Sequence, residues 1–308
     1  MSDGKKGSDP FSDLHAPRIL AFIGLGKMGT PMAARLLEAG YQVRAFDTAH
    51  SARARFAQAC SSAVICSSAV EVVETAHAVI TMLPNGKIVH DVLLGSGGAV
   101  RGMAPGTIVI DMSSSSPVDT QATGAALEKR NIDLIDAPVS GGVKRAVDGS
   151  LAILAGGSPA LIQRCTPVLR AMGASIFPTG PLGSGHAMNA LNNYVSAAGL
   201  VAASEALLIG RRYGLDPALM VDAFNSSTAK NNSTENKLKQ YILSQTFGSG
   251  FAMSLMAKDL KTAADLAAHL GVQAPFAEAC VRLWQEASAK LGDAADHTEI
   301  FRYLEDHV

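Results

Sequence analysis

The longest helical pattern of the chain runs from Gly183 to Arg212 and is dominated by Ala, Leu and Met, which favour helix. A helix of that length extends about 45 Å. Its polar residues recur at spacings of three and four, which places them on one face: His186, Asn189, Asn193 and Ser196. Such a stripe needs polar partners or water. It therefore predicts either a hydrogen-bonded seam between helices or one wall of a wet cleft.

The N-terminal part of the chain begins with an apolar run, Arg18 to Ile23, that has the length and composition of a short strand. A glycine turn follows at once, and the residues after it carry apolar positions at helical spacing as far as Gly40. A second strand pattern then ends at Asp47. The order strand, glycine turn, helix, strand, acid is the context in which a GxGxxG motif indicates dinucleotide binding.

The three glycines of this turn have different expected roles. Gly24 allows the tight turn, Gly26 lets the backbone approach a pyrophosphate, and Gly29 lets helix and strand pack closely. The phosphates are expected at the helix N-terminus, whose unpaired N–H groups favour anions. Asp47 is placed to accept both hydroxyls of the adenosine ribose and to repel a 2′-phosphate, so the sequence predicts NAD rather than NADP.

Strand and helix patterns alternate as far as Pro178, which predicts an α/β domain with a doubly wound, mostly parallel sheet. Ligands of such sheets bind at the carboxyl ends of the strands. Three segments at predicted strand ends are therefore candidates for cofactor or substrate contact: Leu83-Pro84, the serine run that contains Ser114, and Ser140-Gly141-Gly142.

The segment Ser140-Gly141-Gly142 is the candidate for a carboxylate. Two adjacent glycines after a serine predict a loop with converging backbone N–H groups, and an ordinary turn is the alternative. Lys144 and Arg145 follow directly. They either add positive charge to the loop or begin a solvated helix.

After Gly214 the pattern contains no strand candidates, so the second half of the chain is predicted to be all-α. The polar segment 226–236 is expected to be a loop. Lys258-Asp259, inside an apolar-periodic helix, is either a structural ion pair or a group that orients a cofactor. The predicted organisation is a disordered tail at 1–17, a Rossmann domain at 18–180 and an all-α substrate and oligomerisation domain at 181–308, with the long helix at about 184–213 between them.

Composition narrows the class of function. The chain has 308 residues, 48% of them hydrophobic, so it can bury the cores of two domains. Its net charge of −1 argues against a general nucleic-acid binder. The sequence contains no run of 18 or more apolar residues, so it predicts no membrane span. The four cysteines form no CxxC pair and the eight histidines no HxH or HxxxH pair. We therefore expect buried thiols, no structural metal and a cytoplasmic location.

Four motifs, in this order, resemble those of the β-hydroxyacid dehydrogenases, which include 3-hydroxyisobutyrate dehydrogenase and tartronate semialdehyde reductase. They are FIGLGKMGTPMA (22–33), DAPVSGGVKRAVDGSLAILAGG (136–157), GSGHAMNALNN (183–193) and MAKDL (256–260). The resemblance covers Arg18 to about Glu305. It implies a Rossmann domain and an all-helical domain joined by the long helix, with an active site for a small hydroxycarboxylate in the cleft between them. It also implies homodimers or homotetramers built through the helical domain.

The resemblance assigns roles to individual residues. The cofactor-binding positions are Gly24, Gly26, Lys27, Met28, Gly29, Asp47, Leu83, Pro84, Ser114 and Lys258. Ser140, Gly141 and Gly142 correspond to the loop that binds the substrate carboxylate, and Asn193 to the asparagine that orients the substrate. NAD-dependent members of the family carry an acid at the position of Asp47.

One position departs from the family pattern. The catalytic lysine of the family's GxGxxxK motif falls at position 189, which is Asn here, and residues 186–192 contain no lysine. A lysine beside Asn193 acts as an acid/base, whereas Asn does not titrate, and the loss of such a group typically costs about 10²–10⁴ in rate.

Three interpretations of Asn189 are open. The chain is an NAD-dependent 3-hydroxyacid dehydrogenase inactivated by a Lys-to-Asn change. Alternatively, it is a natural variant that uses Asn189, water or His186, on the same substrates or in the reduction of an imine or another carbonyl. In the third interpretation it is a non-catalytic, dehydrogenase-like binding protein.

Overall fold

The computed structural model describes residues 14–307, so most of the predicted tail lies outside the described residues. The strands are β1 (Ile19–Ile23), β2 (Gln42–Phe46), β3 (Val64–Ile65), β4 (Ala78–Thr81), β5 (Ile108–Asp111), β6 (Asp133–Asp136), β7 (Val139–Ser140), β8 (Leu151–Gly156) and β9 (Gly173–Gly180). The first seven helices are α1 (Gly29–Glu38), α2 (His50–Ala59), α3 (Ala69–Val73), α4 (Gly86–Leu94), α5 (Pro117–Glu128), α6 (Gly142–Asp148) and α7 (Pro159–Met172). The remaining helices are α8 (Ser184–Tyr213), α9 (Pro217–Asn225), α10 (Asn232–Asn236), α11 (Met253–His269), α12 (Pro275–Leu291) and α13 (Ile300–Glu305).

The strands form one sheet in the order β3-β2-β1-β4-β5-β6-β8-β7, with β9 paired to β8. The first six strands of this order are parallel to their neighbours, whereas β8 runs antiparallel to β6 and β7. The order reverses between β1 and β4, and ligands of doubly wound sheets bind at such a switch point. The predicted fold class, a mostly parallel Rossmann-type sheet followed by a helical domain, is confirmed.

The apolar run of β1 is explained by burial on both faces of the sheet. Leu20 and Phe22 belong to one hydrophobic cluster, and Ala21 and Ile23 belong to another. Successive side chains of a strand point to opposite faces, so a strand covered by helices on both sides is apolar at every position. This packing holds the carboxyl end of β1, where the glycine turn begins, in a fixed position.

The chain divides into two compact units between Asn189 and Ala190, inside α8. The first unit contains the sheet. The second unit has its own hydrophobic core, which contains the fully buried Trp284 together with Leu200, Leu207 and Met256. The helix α8 links the two units, as the sequence predicted.

The structure adds local elements that the sequence patterns did not predict. The helix α2 lies in a segment that was left without an assignment. The strand β7 ends at Ser140 and the helix α6 begins at Gly142, so both extend into the segment that was predicted as a loop, and α6 agrees with the interpretation of Lys144 and Arg145 as a helix start. The segment 226–236 was expected to be a loop, and this prediction was wrong for its second half, which forms α10. The side chain of Asn231 accepts hydrogen bonds from the backbone N–H groups of Ser233 and Thr234, and the Thr234 hydroxyl accepts one from the Asn231 N–H in return. This capping box starts a helix in a polar sequence because it satisfies the first free N–H groups.

By length and composition alone, α8 is apolar enough to cross a membrane, with a mean hydropathy of 1.3 over its most apolar part. However, 44% of that part is buried inside the fold, and the core helix of a water-soluble protein passes the same test. Length and hydropathy therefore do not make α8 a membrane span.

Candidate functional site

The glycine turn after β1 has the geometry that close packing requires. Gly24 has a φ of +104°, and a Cβ at this position would overlap the carbonyl oxygen of Met82. A Cβ at Gly29 would overlap the carbonyl oxygen of Gly24 and approach the ring of Phe22 at 3.1 Å. These two glycines are therefore needed for the fold of the turn itself.

Gly26 differs from the other two glycines, because a Cβ there would meet nothing within 4 Å. Gly26 and Lys27 are exposed, and Met28 is half-buried at the N-cap of α1, where no side chain caps the helix. The turn thus presents open space and free backbone N–H groups at a helix N-terminus. This arrangement fits the pyrophosphate of a dinucleotide, which approaches backbone at such a position.

The carboxylate of Asp47 is held beside the same turn. Its two oxygens accept hydrogen bonds from the backbone N–H groups of Leu25 and Ala49, each at 2.8 Å. A carboxylate has about four acceptor positions, so further positions are left for hydroxyl donors. Arg53 is the nearby cation, and its guanidinium donates to the backbone carbonyl oxygens of Asp47 and Thr48.

The loops after β4 and β5 are organised by Asp111, a buried carboxylate that the sequence analysis did not single out. Its Oδ1 accepts from the Thr81 hydroxyl at 2.8 Å and from the Ser113 N–H at 3.0 Å, and its Oδ2 accepts from the Ser115 hydroxyl at 3.0 Å. The Ser113 hydroxyl oxygen in turn accepts from the Leu83 N–H at 2.9 Å. The two loops that carry the candidate cofactor residues are thus tied together through one carboxylate.

Three of the candidate cofactor residues lie on these tied loops. Leu83 and Ser114 are half-buried and Pro84 is exposed. The loops follow β4 and β5, whose carboxyl ends lie at the same edge of the sheet as the glycine turn because all three strands are parallel.

The candidate carboxylate loop lies between β7 and α6. Gly141 and Gly142 have φ values of +130° and +70°, and both are exposed. A Cβ at Gly142 would meet nothing within 4 Å, whereas one at Gly141 would overlap the aliphatic part of the Arg145 side chain. Lys144 is exposed on α6. The left-handed backbone turns the loop so that exposed N–H groups follow Ser140, as the carboxylate interpretation requires.

The start of α8 is held by Asp136, a second buried carboxylate that the sequence analysis missed. Its Oδ1 accepts from the Gly183 N–H and its Oδ2 accepts from the His186 N–H, each at 2.7 Å. A Cβ at Gly185 would overlap the Leu154 carbonyl oxygen and come within 2.9 Å of the Asp136 carboxylate. The glycines of GSGHAMN therefore allow close packing of the helix start on the sheet. The signal available in the sequence was that Asp111 and Asp136 each end a buried apolar strand.

His186 is fully enclosed and bonded through both ring nitrogens. Its Nδ1 lies 2.8 Å from the Thr120 hydroxyl, and its Nε2 lies 3.1 Å from the Ser113 carbonyl oxygen. The ring is also within 3.5 Å of Asp136 and 3.8 Å of Asp111. Since a carbonyl oxygen only accepts, Nε2 is the donor to Ser113. His186 is thus a bonded core residue that ties α8 to the serine loop.

Asn189 is buried, with 4% of its surface exposed, and its amide approaches the Ser114 hydroxyl at 3.5 Å. In the second unit, Asn193 donates to Asp259 at 2.7 Å, and the Lys258 ammonium lies 3.3 Å from the same carboxylate. Lys258-Asp259 is therefore an ion pair, which the structural interpretation predicted, and it also positions Asn193.

Ser196, the last residue of the stripe, accepts a hydrogen bond from the Lys237 ammonium at 3.2 Å. Each of the four polar residues on this face of α8 thus has a hydrogen-bond partner within its own unit, while Asn193 and Ser196 are only half-buried. Within residues 14–307, no group of three His, Cys, Asp or Glu side chains is placed to hold a metal ion.

Comparison with known proteins agrees with this geometry. Residues 19–180 match the family model described as the NAD-binding domain of 6-phosphogluconate dehydrogenase. Residues 183–304 match the model described as NAD-binding of NADP-dependent 3-hydroxyisobutyrate dehydrogenase.

Individual relatives extend the similarity over most of the chain. The 2-(hydroxymethyl)glutarate dehydrogenase of Eubacterium barkeri is 35% identical over 88% of this chain and 89% of its own length. The NAD-dependent L-serine dehydrogenase of Pseudomonas aeruginosa is 34% identical over 86% of this chain and 91% of its own. Among solved structures, the 3-hydroxyisobutyrate dehydrogenase of Mycobacterium tuberculosis with L-serine has a TM-score of 0.87 and 32% identity, covering 94% of this chain and 99% of that one. These matches assign the chain to the β-hydroxyacid dehydrogenase family, in its 3-hydroxyisobutyrate dehydrogenase-like branch of NAD(P)-binding oxidoreductases.

Proposed function

We propose that this chain transfers a hydride between NAD and the hydroxyl-bearing carbon of a small 3-hydroxy acid, and that Asn189 makes this reaction slow. Bound NAD supplies the redox chemistry. The chain must hold the carboxylate, orient the hydroxyl and accept its proton. We assign the first task to Ser140-Gly141-Gly142 and the second to Asn193. The third task falls to position 189, where an amide cannot accept a proton.

The environment of Asn189 is the observation that carries this proposal. Its side chain is buried beside Ser114, and His186, a titratable neighbour on the same face of α8, has both ring nitrogens bonded within the core. This disfavours the interpretation in which His186 replaces the missing lysine. The natural-variant interpretation then depends on Asn189 or water, and the substitution Asn189→Lys tests it.

The names of the relatives support hydroxy acids as the substrate class. The curated relatives include dehydrogenases of 2-(hydroxymethyl)glutarate and of L-serine, and the solved relative contains L-serine. 2-(Hydroxymethyl)glutarate and L-serine each have a carboxylate with a hydroxymethyl group on the neighbouring carbon. We therefore propose 3-hydroxyisobutyrate-like acids and hydroxy amino acids as the substrates to test.

We predict that NADH binds about 10- to 100-fold more tightly than NADPH, because Asp47 accepts ribose hydroxyls and repels a 2′-phosphate. Calorimetric titration of both cofactors measures the difference. Asp47→Ala should reduce the difference in affinity between NADH and NADPH. Asp47→Asn keeps an acceptor but removes the charge, so it should mainly improve NADPH binding. Asp91→Asn, an exposed change on α4, is the control. Equal binding of NADH and NADPH by the unaltered chain would contradict the role of Asp47.

Gly142→Ala tests the carboxylate loop. Because φ is +70° and the space is open, the substitution should cost about 1 kcal/mol of backbone strain and disturb the N–H groups that follow Ser140. We expect weaker binding of 3-hydroxyisobutyrate in the presence of NADH, and unchanged binding of NADH alone. Gly271→Ala is a matched control, since Gly271 also has a φ of +70° and open space but lies in the second unit. Equal losses of cofactor and acid binding would show that the loop is only a scaffold turn.

We also propose that the chain forms homo-oligomers through the second unit. Its exposed surface carries large apolar side chains, among them Ile209, Tyr213, Leu219, Leu270 and Phe276. A second copy of the chain is the partner that the family resemblance implies for this surface. Light scattering of the intact chain tests this assembly, and a monomer would contradict it.

A further inference from the structure

Lys237, in the second unit, forms no ion pair with any residue that the structure describes. It follows α10 and precedes a stretch of π-helix, Leu238–Leu243. Its ammonium donates to the Ser196 hydroxyl at 3.2 Å, and no carboxylate among residues 14–307 lies within ion-pair distance of it. The lysines near it in sequence differ, since Lys230 and Lys239 form exposed ion pairs with Glu235 and Asp222.

The surroundings of Lys237 do not neutralise its charge. Burial lowers the pKa of Lys237 to about 8, and the more distant negative charge of Asp296 only partly opposes this. The carboxylate of Asp296 is already engaged by the Ser249 hydroxyl and by the N–H groups of Gly250 and Thr298. Burial, and then the positive charge of Lys237, lower the pKa of His297 to about 4, so its ring is neutral at pH 7. A half-buried ammonium with this environment is stabilised when an anion binds to it.

The position of Ser196 indicates which anion would bind. Ser196 lies three residues after Asn193 on the same face of α8, a rise of about 4.5 Å. The Ser233 hydroxyl donates to the Ser196 backbone carbonyl at 3.4 Å, which adds a second polar group at this point. A ligand whose hydroxyl is oriented by Asn193 and which continues along α8 by one or two methylenes therefore reaches Lys237.

We propose that Lys237 and Ser196 bind a second anionic group of the substrate, so that the preferred substrate is a 3-hydroxy acid with two anionic groups. Lys237 then determines specificity and takes no part in proton transfer. This inference rests on the proposed function, in which Asn193 orients the reacting hydroxyl. It makes no use of Asn189, so it holds whether turnover is fast or slow.

The test measures binding and does not need turnover. A 3-hydroxy acid and NADH are both reduced, so they form a ternary complex in which no reaction occurs. The probes are 2-(hydroxymethyl)succinate and 2-(hydroxymethyl)glutarate, each compared with its monocarboxylate counterpart, 2-(hydroxymethyl)butanoate or 2-(hydroxymethyl)pentanoate. With NADH saturating, calorimetry should show that at least one dicarboxylate binds about 10- to 100-fold more tightly than its counterpart, as a charge-assisted pair provides.

Two variants locate the effect. Lys237→Met should abolish the preference for the dicarboxylate while leaving monocarboxylate binding unchanged. It should not lower the unfolding midpoint, because it removes a poorly compensated buried charge. Lys239→Met, two residues away on the exposed surface, should keep the preference.

The pH dependence gives a second readout. The anion binds the protonated amine, so the preference for the dicarboxylate should be full at pH 7 and should decline as the pH rises through about 8 towards 9. Anion binding raises the pKa of the amine, so complex formation should take up protons near pH 8. Asp296 remains ionised and His297 remains neutral over this range, because the pKa of each is lowered. In Lys237→Met the profile should be flat.

The outcomes separate this proposal from the one on which it rests. If each dicarboxylate binds no better than its counterpart, or if Lys237→Met keeps the preference, the role of Lys237 is overturned and the proposed function stands. If none of the four acids binds in the presence of NADH, both fail. A lower unfolding midpoint for Lys237→Met together with an unchanged preference would make Lys237 a structural residue only.

Discussion

Asn189→Lys is expected to raise kcat for 3-hydroxy acid oxidation by about 10²–10⁴, with a smaller change in KM. The substitution places an amine one helical turn from Asn193, at the position where the family resemblance expects the catalytic lysine. The position is buried, and burial lowers the pKa of a lysine towards the range in which it accepts a proton at neutral pH. The amine acts mainly in the transition state, so kcat should change more than KM.

Asn192→Lys is the matched control, because it adds the same charge at an exposed position about 100° around the helix from Asn193. The unaltered chain and both variants would be assayed with NAD and one panel of acids that includes L-serine and 3-hydroxyisobutyrate. No gain for Asn189→Lys on any acid would show that position 189 does not serve as the acid/base position. Fast turnover by the unaltered chain would instead show that the reaction proceeds with Asn189 in place, and water would then be the proton acceptor.

Asp136→Ala is expected to reduce the free energy of unfolding of the sheet-containing unit by about 3–5 kcal/mol. The carboxylate is fully buried and accepts two short hydrogen bonds, one from Gly183 just before α8 and one from His186 in its first turn. Its loss leaves the N–H groups of Gly183 and His186 buried without an acceptor, and each such group costs about 1–3 kcal/mol. His186 also loses a carboxylate 3.5 Å from its ring.

Urea unfolding followed by far-UV circular dichroism measures this loss. The fluorescence of Trp284, the only tryptophan of the chain, follows the helical unit separately. Asp136→Asn retains one acceptor oxygen, so it should reduce the free energy of unfolding by less. Asp133→Ala, an exposed change on the same strand β6, should leave it almost unchanged. Equal stability of Asp136→Ala and Asp133→Ala would mean that water replaces the carboxylate at the start of α8.

Much of the first unit was predictable because its signals are local. The strand, the glycine turn, α1 and Asp47 lie within thirty consecutive residues, and their contacts depend on backbone geometry that the glycines determine directly. The overlap at Gly24 and Gly29 and the open space at Gly26 match the roles expected from the motif alone. The fold class could be predicted for a related reason, since the alternation of strand and helix patterns constrains the sheet.

The buried carboxylates were not predictable in the same way. In the sequence, Asp111 and Asp136 are the last residues of predicted apolar strands. Nothing in those strands shows which hydrogen-bond donors contact the two carboxylates. The donors to Asp136 lie 47 and 50 residues further along the chain. Burial of a charged group depends on every element packed around it, so it is decided by the tertiary structure.

The polar stripe of α8 separates what the sequence predicts from what only the tertiary structure decides. Helical periodicity alone placed His186, Asn189, Asn193 and Ser196 on one face, and the structure keeps them there. Their partners come from separate segments, and the residue that meets Ser196 is Lys237, 41 positions away. The period of a helix is a property of its own backbone, whereas a hydrogen-bond partner is a property of the packing. The sequence therefore determined the stripe, and only the folded chain decided which groups its residues bond and that a cation lies beside Ser196.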